Sequence, residues 1–175
     1  MLIREMTEDE CRRTLPQVTL GRLACAQDGQ PYVVPVYLAI HSNYLYGFSS
    51  LGTKIECMRA NPSVCVEIED VKSVEEWTTL IVFGTYEELP DTRQYETTRS
   101  LAHELLRKRA MWWQPGCVAV ANTEQAKTFT PVFYRIRIDR ITGHRAAPEP
   151  LPRCSPPARQ RGLLRRVLRQ IWSRN

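Results

Sequence analysis

The chain reads as a mainly β protein, a six-stranded antiparallel barrel with peripheral helices. Three observations point there. Short runs of β-branched and aromatic residues recur, several with a period of two, as in Ser63–Asp70, where Val64, Val66 and Ile68 alternate with Cys65, Glu67 and Glu69. Short turn signals join most of these runs, among them Asp28-Gly29 and Ser42-Asn43. Helical patterns are few and fall between strands, which places helices around a barrel rather than inside a repeating βαβ frame.

In chain order, Thr7-Glu8-Asp9-Glu10 has the form of a capping box and opens a helix that runs to about Leu15. Residues 20–26 and 30–40 form a hairpin around Asp28-Gly29. Pro35 inside the second strand lacks a ladder donor, so it belongs at an edge, at a bulge, or where the backbone faces a ligand. Residues 44–48 make the third strand, 63–70 the fourth and 77–88 the fifth. Residues 91–109 carry helical spacing, with Tyr95, Leu101, Leu105 and Leu106 inward. Met111-Trp112-Trp113-Gln114-Pro115-Gly116 is a loop by its Pro-Gly, and residues 130–141 form the sixth strand.

The stretch Tyr44–Pro62 carries the chemistry. A strand empties into Ser49-Ser50-Leu51-Gly52-Thr53-Lys54 and then opens a short helix that ends at Asn61-Pro62. Free amides at the helix start, hydroxyls and one ammonium can converge on a phosphate. A Gly/Ser loop before a helix also serves as a plain cap, and both readings stand. The spacing excludes the nucleoside-triphosphate loop.

Composition narrows the class. With 43% apolar and 25% charged residues over 175 positions, the chain is a globular domain large enough for a core. The acidic start is no signal peptide, no apolar run is long enough to span a bilayer, and the six cysteines show neither C-x-x-C nor zinc spacing. Reduced thiols and a cytoplasmic location are the expectation. The net charge of +5 belongs to the end of the chain: residues 151–175 hold seven arginines and no acid, while residues 1–150 hold 17 bases and 19 acids. That split removes most of the support for a nucleic-acid partner.

The tail divides further. Five prolines between 148 and 157 make residues 147–160 a stiff linker, and 161–175 form a basic amphipathic helix. Leu163, Leu164, Val167, Leu168, Ile171 and Trp172 share one side, opposite Arg165, Arg166 and Arg169. Docking on the barrel or its mate is one use of such a helix, and an anionic membrane surface is another.

Gly21-Arg22-Leu23-Ala24, Gly29 to Tyr37, Leu45-Tyr46, Ser49 to Lys54 and Asn61 to Val64, taken in that order, resemble the FMN-binding split-barrel family related to pyridoxamine 5'-phosphate oxidase. The nitroimidazole-resistance branch is the nearer likeness, through Trp112-Trp113-x-Pro-Gly and Pro131 to Ile136 as well, over about residues 2–145. The resemblance implies a domain at 1–146 with a six-stranded split β-barrel, FMN as cofactor and a homodimer with flavin between subunits. It implies that Ser49, Thr53 and Lys54 hold the FMN phosphate and that main-chain atoms of Val34, Pro35 and Val36 run along the isoalloxazine. Ser50, Phe48, Trp112 and Trp113 complete the expected flavin surroundings. Phe48 stands where related proteins often have histidine, and Thr53-Lys54 supplies one cation where the oxidases proper have Arg-Lys. No match to the substrate-binding Arg and His of those oxidases is present.

Trp112 and Trp113 equally suit a core edge or an interface. His41, His103 and His144 read as surface or structural residues. Glu67 and Glu69 share one strand face, either solvated or at a dimer rim. Two function classes follow: an FMN-dependent oxidoreductase acting on a small aromatic, heterocyclic or nitro compound, and a flavin or haem carrier or sensor without turnover.

Overall fold

The computed structural model describes residues 1–17, 20–108 and 131–148. Trp112, Trp113 and the expected helix at 161–175 lie outside the described residues.

Among the described residues there are eight strands and three α-helices: β1 (Leu2–Glu5), α1 (Glu8–Thr14), β2 (Leu20–Gln27), β3 (Gln30–Tyr37), β4 (Ala39–His41), β5 (Tyr44–Ser50), α2 (Thr53–Ala60), β6 (Ser63–Val71), β7 (Trp77–Glu88), α3 (Glu96–Arg107) and β8 (Pro131–Ala147). All ladders are antiparallel and run in the order β3-β2-β6-β7-β8-β5-β4, with β1 added to β8. The fold is mainly β and antiparallel, as expected, but two more strands are present than the sequence suggests.

Both extra strands have a physical origin. β1 is four exposed residues without alternation, and it exists only because β8 runs on to Ala147, past the expected end at Ile141, and offers an edge. The expected strand 30–40 breaks at Leu38, because its first half pairs with β2 and its second half with β5. The two ends of the sheet path, β3 and β4, are thus neighbours along the chain. The sheet curls back upon itself and stays open at that joint, which is a split barrel.

Local chemistry sets the turns. Asp28 and Gly29 both have positive φ, 52° and 77°, as a two-residue hairpin of this type requires. At Ser42-Asn43 the Asn43 side chain donates to the carbonyl of Ile138 at 2.9 Å and accepts from Arg12 at 2.9 Å, fixing the β4–β5 turn to β8 and α1.

Two cores result from β5 presenting opposite faces. Leu45 points into the barrel with Leu23, Val66, Leu80, Val82 and Ile136, all buried. Gly47 leaves space for the Tyr134 ring, since a Cβ there would lie 2.5 Å from it. Tyr46 and Phe48 point the other way, into a smaller core with Leu89, Phe133 and the Ala102 and Leu106 of α3. No described helix is long and apolar enough to cross a membrane.

Candidate functional site

The site grows out of the end of β5. Ser49 is the one buried polar side chain among the described residues, 1% exposed, and its Oγ donates to the carbonyl of Ser50 at 2.9 Å. Ser50, Leu51 and Thr53 are exposed, so the strand surfaces in this turn.

α2 then starts without a cap of its own. Gly52 occupies the cap position in extended backbone (φ 168°) and offers no side-chain acceptor. The Ile55 and Glu56 amides both donate to the Gly52 carbonyl, at 2.9 and 3.1 Å. That leaves the Thr53 and Lys54 amides as the helix's unclaimed donors. Inner residues Ile55, Cys57 and Met58 bury this helix in the barrel core. Its far end is tied by Asn61 to the carbonyl of Ala26 at 3.1 Å, and by a two-pronged Arg59–Glu88 pair with both bonds at 2.7 Å. The helix start is therefore held in place.

Lys54 is half-buried, and burial lowers the pKa of its ammonium. It has no carboxylate or hydrogen-bond partner among the described residues. A cation in that position also lies at the positive end of the helix dipole, the unfavourable end for it. Uncapped amides, a partly desolvated cation and the Thr53 hydroxyl together are groups that suit an anion, and no described residue supplies one.

Around this turn the structure distributes the other expected residues. Val34, Pro35 and Val36 lie on β3, which has one ladder, to β2, among the described residues. An edge tolerates the proline, as expected. Val34 is half-buried and Val36 buried, while Pro35 faces out with Val33 (58% exposed), Tyr37 (43%) and, from β2, Leu20. α2 packs against β2, the partner of β3, so the turn and this edge are one strand apart. Phe48 is placed differently from Ser49: its ring stacks on Phe133 at 5.8 Å under α3, on the opposite face of β5. His41 sits at the end of β4, His103 on α3 and His144 on β8, and no group of potential metal ligands forms among the described residues.

Two features escaped the sequence reading. A groove of about 400 Å3 runs between α3 and β8, lined by Arg99, His103, Arg107 and Phe133, with the Arg99 guanidinium 5.0 Å over the Phe133 ring. The i, i+4, i+8 spacing of those three helix residues was the available signal. The exposed apolar face of Leu20, Val33 and Tyr37 depends on which side of the β2–β3 hairpin the core takes, a tertiary fact.

Comparison with known proteins gives a consistent picture. Residues 7–145 match the family model described as pyridoxamine 5'-phosphate oxidase. An uncharacterised protein from Rhizobium meliloti (strain 1021) is 38% identical over 146 residues, 83% of this chain and 97% of that one. A crystal structure of an FAD-binding protein from Mesorhizobium loti is 40% identical, with a TM-score of 0.69 over 85% of this chain and 99% of that one. A Bacteroides thetaiotaomicron VPI-5482 protein, named as a candidate 5-nitroimidazole antibiotic resistance protein, shares the fold with a TM-score of 0.57 at 16% identity, over 82% of this chain and 89% of that one.

Proposed function

Because the chain belongs to the pyridoxamine 5'-phosphate oxidase family, we propose that it binds a flavin, with the flavin phosphate at the start of α2. The observation that carries this reading is Lys54, a half-buried ammonium without a partner among the described residues, beside two helix amides that no described residue claims. In this reading Ser49, Ser50, Thr53 and Lys54 bind the phosphate of FMN. Main-chain atoms of Val34, Pro35 and Val36 line the ring system, with Phe48 backing the turn and Trp112 and Trp113 contributing aromatic surface. FAD is the second reading, favoured by the name of the 40%-identical Mesorhizobium protein. Both cofactors present a phosphate to the same turn. Extracting the cofactor from purified protein and weighing it by mass spectrometry distinguishes FMN from FAD. A Soret band with no flavin in the extract would overturn both.

A bound flavin supplies hydride and electron transfer, and the protein's residues hold and orient it. Lys54 and the helix amides fix the phosphate, while the β3 edge presents backbone groups to the ring. The activity we propose is oxidoreduction of a small aromatic, heterocyclic or nitro compound. The exposed face of Leu20, Val33 and Tyr37 is what a second copy would cover, and a homodimer is the assembly we propose. The arginines of residues 161–174, interspersed with leucines, valine, isoleucine and tryptophan, support a second contact, with an anionic membrane surface. Co-sedimentation with anionic liposomes should then retain the full chain and lose a version ending at Pro150.

A further inference from the structure

Two thiols outside the flavin reading lie on the two elements that meet in the α2–β2 contact. Cys25 on β2 is 4% exposed, Cys57 on α2 is 2% exposed, and both are free. The Asn61 side chain, capping the end of α2, donates to the carbonyl of Ala26, the residue after Cys25. Cys57 is one helical turn back from Asn61, so the same contact brings Cys57 to the part of β2 that holds Cys25. Both side chains belong to the same buried cluster, and Cys25 makes a long donation to the Tyr32 carbonyl at 3.9 Å. One turn further back along α2 is Thr53, where the helix meets the anion site.

We propose that Cys25 and Cys57 are a redox pair that closes to a disulfide and rivets α2, the helix bearing Thr53 and Lys54, to β2. Any influence on bound flavin rests on the flavin reading; the cross-link itself does not. With a hydroperoxide as oxidant, one thiolate attacks the peroxide, the O–O bond breaks, and a sulfenic acid forms as an alcohol leaves. The second thiol attacks that sulfur, the S–S bond forms and water departs. Two thiols lose two electrons, which reduce one hydroperoxide to alcohol and water, and an external thiol reverses the step. Burial, and then the neighbouring Cys57, push the Cys25 thiol up to about 12. The thiolate is therefore scarce at neutral pH, so closure is slow and quickens as pH rises.

Trypsin offers a clean test, because cleavage after Arg22, Lys54 and Arg59 puts Cys25 in peptide 23–54 and Cys57 in peptide 55–59, each without another cysteine. Full-length protein is treated with cumene hydroperoxide, blocked with iodoacetamide and digested. The expected result is a linked 23–54/55–59 pair lacking two hydrogens, faster formation at higher pH, and loss of the pair on reduction. The closed form should melt about 10 °C higher than the reduced form. The shift should be absent in Cys57→Ala and in Cys25→Ala. Alkylation of both cysteines after oxidation, or linkage of either to a different cysteine, overturns the proposal. FMN should leave the closed form more slowly than the reduced form, and equal release rates with the cross-link mapped would overturn its influence on the site. Failure of both forms to bind FMN would count against the flavin reading while leaving the mapped cross-link standing.

Discussion

The starts of α1 and α2 solve one problem in opposite ways. Every helix begins with amides that have no partner within it. At α1 the chain supplies them: the Thr7 hydroxyl accepts from the Glu10 amide at 3.3 Å, and the Glu10 carboxylate accepts from the Thr7 amide at 2.9 Å. Arg4 then grips Glu10 through two bonds of 2.9 and 2.6 Å, and Glu8 and Asp9 add acidity where the helix dipole favours it. At α2 the cap is a glycine, the second helical residue is a lysine, and nothing described in the chain answers either. A helix start that closes on itself is scaffold. One left open among the described residues, and carrying a cation against the dipole, is where we propose that the flavin phosphate binds.

The contrast can be broken hardest at Lys54. Lys54→Glu puts a carboxylate beside the phosphate and removes a charge-assisted contact, so flavin affinity should fall about a hundredfold or more, read by fluorescence titration with FMN. Retained affinity would mean that the phosphate lies elsewhere. Gly52→Asp sharpens the comparison by giving α2 the kind of cap α1 has. The backbone there is extended and a Cβ would meet nothing within 4 Å, so the side chain fits. Flavin-free protein should gain about 1 kcal/mol, or roughly 2–4 °C in Tm, while flavin affinity drops about tenfold. Stability and binding should move in opposite directions.

At α1 the effects should be confined to stability. Thr7→Ala should cost about 1 kcal/mol in urea unfolding and leave flavin affinity unchanged. The smallest effect concerns acid. The Arg4 side chain first, and then the Thr7 amide, hold the Glu10 carboxyl at about 2, below its ordinary 4.5. The folded pKa is depressed, so its contribution is full above the ordinary value and is lost as pH falls from 4.5 toward 2. Glu10→Gln should therefore flatten the dependence of Tm on pH in that window, with the largest difference from the parent above it.

How much of this the sequence discloses follows from how local each feature is. The capping box, the Asp28-Gly29 hairpin and the Ser49–Lys54 turn need only neighbours in the chain, and the structure has each where the residues suggest. Pro35 marked an edge, a bulge or a ligand-facing backbone because a missing donor is a local fact, and among the described residues its strand has one ladder, to β2. The break at Leu38 could not be read, because both flanks have strand propensity and differ only in which strand they meet. β1 depends on an edge supplied by residues 144–147. The alternation of β5 is visible, but that its outer residue Phe48 is covered by α3 is a tertiary fact. Lys54 was legible as a cation near a helix start. Its lack of a partner among the described residues depends on which side chains the fold brings near it, and that is a tertiary fact.

The pairing of β1 with the end of β8 has a consequence for how this domain can be handled. Leu2 stands opposite Ala147, so the chain enters and leaves the barrel at one point on its edge. Extensions at that point can be gained, exchanged or lost as separable modules while the barrel stays the same. The same proximity makes the domain a natural subject for circular permutation, with old ends joined by a short tether and new ones opened at the exposed Asp28-Gly29 turn.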